Sequence, residues 1–207
     1  MKVSILIKEG VFINIPKNVV LPKPIQVLHF STGNEKEIML QPRNLIVVGE
    51  NSHVQIYERH QNLSDNKVLT NAVTEIFAHK RAIADIYKIQ NDRLTSSLID
   101  NTYVQQKDSS IVSVNTFSFG GNITRNNLEF HQEGEHITSN LNGITLIGGK
   151  QHVDNHTLVH HKQENCESHE MYKGIYDEQS TGVFNGKVIV DKLAQKTNAY
   201  QRSPNFA

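Results

Sequence analysis

A chain of 207 residues, 37% hydrophobic and 20% charged, is long enough to bury one substantial core and too apolar to be disordered throughout. Its 21 basic residues are balanced by 21 acidic ones. That balance excludes a dominant electrostatic pull toward nucleic acid or anionic lipid, because both need a concentrated positive surface.

The opening Met1-Lys2-Val3-Ser4-Ile5-Leu6-Ile7-Lys8-Glu9 is broken by charge and too short for the apolar segment of a secretory signal. No apolar run approaches the roughly 20 residues that span a bilayer. Cys166 is the single cysteine, so an intrachain disulfide and an all-cysteine metal site are both excluded. These features predict the cytosol, with neither membrane nor nucleic acid as partner.

Three of the five prolines, Pro16, Pro22 and Pro24, punctuate the first 24 residues, which read as short edge strands and loops. From residue 44 onward, short β-branched and aromatic runs alternate with polar connectors: Leu45-Ile46-Val47-Val48, Val54-Gln55-Ile56-Tyr57, Ile111-Val112-Ser113-Val114 and Lys187-Val188-Ile189-Val190. Turn signals between them include Gly120-Gly121-Asn122, Asn142-Gly143, Gly148-Gly149 and Asn185-Gly186. Between residues 69 and 89, Leu69, Val73, Ile76, Ile83 and Tyr87 fall near helical spacing with no Pro or Gly between them. Local periodicity leaves helix and strand open there.

A repeat favours strands. A small-residue turn followed by alternating strand residues begins at Glu50, Lys80, Lys107 and Glu133, so the starts lie 30, 27 and 26 residues apart. Weaker copies begin at Glu178 and Lys192. A strand-and-turn unit of fixed period means stacked coils that bury their inner faces against each other. The prediction is one all-β domain over 1–207, a right-handed parallel β-helix, with a divergent tail at about 202–207; a β-sandwich is the alternative.

The densest set of ligand-type side chains is His152-Val153-Asp154-Asn155-His156-Thr157-Leu158-Val159-His160-His161, followed by Cys166 and His169. On a strand, His152, Asp154, His156 and His160 share one face, and neutral imidazoles with a carboxylate suit zinc, iron or nickel. Set against this, stacked strands hold neighbouring side chains about 4.8 Å apart, a spacing for hydrogen-bonded ladders rather than coordination. The ladder or exposed-ring reading is therefore preferred, and His152, His156, His160 and Cys166 stand as metal candidates only. Cys166 carries sulfur chemistry only if Lys162, His161 and His169 make its setting electropositive; otherwise it packs as a small hydrophobe. Neither Gly-x-Ser-x-Gly nor a Gly-x4-Gly-Lys-Ser/Thr loop is present, so no catalytic residue is assigned.

Several stretches carry a family resemblance. Gln26-Val27-Leu28-His29, Pro42 through Asn51, His156 through His161, Tyr172-Lys173-Gly174-Ile175, Ser180 through Val188 and Ala194 through Gln201 occur in the order found in the SufB/SufD family of the Suf iron–sulfur assembly machinery. The pattern is closer to its SufD side and covers about residues 20 to 201. The resemblance implies a right-handed parallel β-helix core and a scaffold, not an enzyme, paired with a SufB-like subunit in a SufBCD complex. It implies no stably bound cofactor, only a transient Fe–S cluster on the assembled complex. The family's helical N-terminal region and its late Cys-Ser-His-Gly segment have no counterpart, so the chain reads as truncated at both ends. No cluster ligand is carried over, docking of the ATPase SufC is in question, and self-association through an open coil end is expected. Two other classes are weighed: a cupin-type metal enzyme using His152, His156 and His160, and a carbohydrate-acting β-helix enzyme, for which no acidic pair stands out.

Overall fold

Strict alternation of inward and outward side chains, renewed after every corner, dominates the chain. The computed structural model describes residues 9–32 and 37–206, so Met1–Lys8, read above for a targeting signal, lies outside the described residues. In chain order the strands are β1 (Phe12–Ile15), β2 (Ile25–Ser31), β3 (Ile38–Leu40), β4 (Arg43–Val48), β5 (His53–Asn62), β6 (Val68–Ala78), β7 (Ile83–Gln90) and β8 (Ser96–Gln106). They continue as β9 (Ile111–Ser118), β10 (Ile123–Gln132), β11 (Thr138–Ile147), β12 (His152–His161), β13 (Glu167–Tyr176), β14 (Thr181–Val190), β15 (Asn198–Arg202) and β16 (Asn205–Phe206). Every element among the described residues is a strand.

From β4 to β15 the strands alternate between two parallel sheets. One has the order β1-β4-β6-β8-β10-β12-β14, with β3 beside β6; the other runs β15-β13-β11-β9-β7-β5-β2, with β16 beside β13. Each strand inside these orders therefore pairs with the strand one coil earlier and one coil later, which is the β-solenoid that the repeat predicted. The region of helical periodicity is β6 and β7. Its apolar spacing was misleading because Val68, Thr70, Ala72, Thr74, Ile76 and Ala78 turn inward in period two, while Leu69 and Val73 turn outward. Parallel ladders throughout also separate this fold from the antiparallel double-sheet jelly roll of a cupin.

The corners explain the repeat. Asn51, Arg81, Ser109 and His136 all adopt φ of 55–56°, as do Asn165 and Lys196 within a degree or so. The left-handed residue reverses the chain, and the next residue drops into the interior: Ser52, Ala82, Ser110, Ile137 and Cys166 are all buried. The copy predicted at Glu178 belongs to the opposite corner, where Glu178 itself has φ 56°.

Inside, apolar residues stack rung on rung. Ile46, Ile76, Val104, Phe130, Val159 and Val188 form one column by register, and Ile25, Ile56, Ile86, Val114 and Leu141 face them from the other sheet. Each fully buried Ile, Leu, Val or Phe stabilises the fold by about 1.5–3 kcal/mol relative to exposure. At one rung an aromatic needs more room than a 4.8 Å step gives, and a glycine provides it: a Cβ on Gly143 would lie 2.2 Å from the Tyr172 ring.

Candidate functional site

The histidine-rich strand is β12, and His152, Asp154, His156 and His160 do share its outward face. Each histidine, however, has a different partner. His152 Nδ1 lies 2.6 Å from Thr181 Oγ1, His156 Nε2 lies 2.8 Å from Asp154 Oδ1, and His160 Nε2 lies 2.9 Å from Asp191 Oδ1. The other oxygen of Asp154 accepts from Arg125. His161 points inward, 3.1 Å from Ser168 Oγ; burial, then the neighbouring His160, holds its pKa below the ordinary histidine value. No three donors of β12 converge among the described residues.

Cys166 occupies the buried corner position, where its thiol donates to the carbonyls of Gly134 at 3.2 Å and Glu164 at 3.4 Å. Burial pushes the thiol pKa up; a backbone hydrogen bond from Ile137 opposes this, while the carboxylates of Glu135 and Asp108 add to it. The electropositive setting that sulfur chemistry requires is therefore not built here: His169 instead stacks on Tyr200 at 5.2 Å and lies 3.5 Å from Glu167.

The group that sequence reasoning missed lies inside the early coils. Glu58 on β5 and Lys88 on β7 are register partners on adjacent rungs, both facing inward. Lys88 Nζ sits 2.9 Å from Glu58 Oε2 and 2.9 Å from each carboxylate oxygen of Asp100, which reaches across from β8 in the opposite sheet. Asn44 Nδ2 donates to Glu58 Oε1 at 2.8 Å. His29 and His60, also register partners, stack with centroids 4.4 Å apart and planes 8° from parallel. Their Nε2 atoms face Glu58 Oε1 at 3.4 and 3.7 Å. A cleft lined by Ser31, Thr70 and Asp92 opens onto the two rings.

Burial works to raise the Glu58 pKa, but the Lys88 ammonium and the two imidazoles outweigh it, holding the carboxyl well below the usual range. Burial likewise works to lower the Lys88 pKa, and Asp100 and Glu58 reverse that, leaving it raised. The pair is therefore charged inside the coil. Its signal was present in the sequence: Glu58 follows Val54 and Ile56 on the inward parity, and Lys88 stands the same 30 residues after Glu58 as Lys80 does after Glu50.

A rod of parallel coils with a charged knot in its interior is a parallel β-solenoid core. Residues 30–207 match the family described as SUF system FeS cluster assembly, SufBD core domain, and the chain belongs to that family. It is 31% identical to an iron–sulfur cluster assembly SufBD family protein, slr0076, of Synechocystis over 93% of this chain and 44% of that protein. It is 28% identical to the chloroplastic protein ABCI7 of Arabidopsis thaliana, over 91% of this chain and 41% of the relative. Against the iron–sulfur cluster assembly protein SufD of Escherichia coli the identity is 24%, over 89% and 44% respectively. The chain thus spans less than half the length of these curated relatives. No helix among the described residues is long and apolar enough to cross a membrane.

Proposed function

We propose that this chain is a SufD-like scaffold core in iron–sulfur cluster assembly, working by contact with a SufB-like subunit rather than by turnover, in the cytosol. The observation that carries this reading is the match of residues 30–207 to the SufBD core on a parallel solenoid. Its SufD side rests on the ordered motifs Tyr172-Lys173-Gly174-Ile175 and Ala194 through Gln201. A transient Fe–S cluster belongs to the assembled complex as cargo.

Co-expression of the tagged chain with SufB and SufC tests the reading. Retention of SufB through purification is the expected result. Failure to retain SufB, under conditions where a full-length SufD retains it, overturns the assignment.

A further inference from the structure

The geometry points to a site for one first-row divalent transition ion, of the zinc or ferrous class, held by His29 Nε2, His60 Nε2 and Glu58 Oε1. Among the described residues this is the set of three ligand-type side chains whose donor atoms all lie within 4.8 Å of one another. The carboxylate-to-imidazole separations of 3.4 and 3.7 Å are close to the edge of a tetrahedron with metal–ligand bonds of 2.0–2.1 Å, which is about 3.3 Å.

Three further features set this group apart from an ordinary buried polar cluster. Both Nε2 atoms are buried, and neither makes a well-formed hydrogen bond; each has only its 3.4 or 3.7 Å approach to Glu58 Oε1. Two carboxylates, Glu58 and Asp100, share the single ammonium of Lys88, so the set that faces the imidazoles is rich in acidic groups. Finally, the carboxylate is braced as ligating carboxylates are, with Asn44 on Oε1 and Lys88 on Oε2 fixing its orientation. Two imidazoles and one carboxylate select a borderline transition ion over calcium or magnesium, which take oxygen ligands. A cleft lined by both rings lies beside the site. The parallel rings direct their in-plane lone pairs side by side, so coordination splays them toward the ion. Metal binding here is independent of the assembly role and stands or falls separately.

The test is calorimetric titration of EDTA-treated, desalted chain with Zn²⁺, with histidine imidazole resonances followed by NMR. One saturable equivalent is expected, moving the His29 and His60 resonances. His29→Gln and His60→Gln should each weaken binding by at least about tenfold to a hundredfold, the range seen on losing a mere outer partner of a metal ligand. The triple variant His152→Gln/His156→Gln/His160→Gln should bind as the parent does. Binding that vanishes in the triple variant, or no saturable binding at micromolar Zn²⁺, overturns the site. If either single variant fails to fold, as judged by circular dichroism, the parent's NMR shifts decide: movement confined to the β12 histidines also overturns it.

Discussion

The two ends of the solenoid interior solve the same problem differently. Within the early coils the inward column of β5 and β7 carries ionised groups, Glu58 beside Lys88, closed by Asp100 from the facing sheet. Along the column that runs from β8 through β10 to β12 the polar residues are neutral: Gln106, Gln132 and His161 succeed one another by register. Ser139 links the two glutamines, donating to Gln106 Oε1 at 2.6 Å and accepting from Gln132 Nε2 at 2.8 Å. An amide both donates and accepts, so it repeats along a column at every rung. A charge cannot follow itself on the next rung and must alternate sign. Neutral ladders therefore extend the rod, whereas the ionic knot is confined to one place and depends on every member.

The sharpest way to break that contrast is Lys88→Met. Two buried carboxylates then face each other without a counter-ion, and removing one member of a buried pair costs about 3–5 kcal/mol. Urea unfolding should show the loss. Adding Glu58→Gln and Asp100→Asn to Lys88→Met should recover most of it, because a neutral set removes the stranded charges. The pH dependence also changes sign. In the parent, the lowered Glu58 pKa gives stability present above the ordinary carboxylate value and lost as pH falls through the folded value; the raised Lys88 pKa gives stability lost only as pH climbs past the ordinary lysine range. Lys88→Met should instead gain stability on acidification, as its stranded carboxylates protonate. An acid profile unchanged between the two proteins would show that the knot contributes no net electrostatic stability.

A neutral ladder should break more gently. Gln132 Nε2 donates to Ser139 Oγ at 2.8 Å and to the Glu167 carbonyl at 2.9 Å. Gln132→Leu keeps the volume and strands both acceptors, an expected loss of about 1–3 kcal/mol with no dependence on pH between the carboxylate and lysine ranges. A loss as large as that of Lys88→Met would erase the distinction between ladder and knot.

How much of this was readable beforehand follows from the same physics. The turn copies starting at Glu50, Lys80, Lys107 and Glu133 mark the corners because a left-handed residue followed by a small or apolar buried one is a local requirement. The corner at Asn165 escaped notice because Cys166 fills the place taken by Ser52, Ala82 and Ser110, and a cysteine reads as chemistry before it reads as packing. The candidate site was missed for a different reason. His152, His156 and His160 are dense in sequence yet meet separate partners in space. His29, Glu58 and His60 are spread over 32 positions and converge only through strand register. Charged residues on an inward parity break the binary pattern, and such breaks mark the places where local reasoning fails.

The mildest test lies at Glu170, an ionisable group placed inside the later coils, where the neutral solution otherwise holds. Thr157 donates to its Oε2 at 2.7 Å and Gln201 at 3.1 Å, while Oε1 is buried with no hydrogen-bond partner. With no cation beside it among the described residues, burial raises its pKa, and the two hydrogen bonds only partly oppose that rise. A raised carboxyl pKa contributes stability that is fully present below the unfolded value and is lost as pH rises through the folded value. Near neutral pH, Glu170 is therefore an expense to the fold, in contrast to Glu58. Glu170→Gln reproduces the protonated form and should stabilise the chain by about 1 kcal/mol near neutrality. The gain should shrink toward zero below the ordinary carboxylate range, where the parent is protonated as well. Thermal unfolding of the two proteins across that range decides the matter. A substitution that destabilises at neutral pH would mean that Glu170, like Glu58, has a cationic partner, and the division of the interior into a charged and a neutral end would no longer hold.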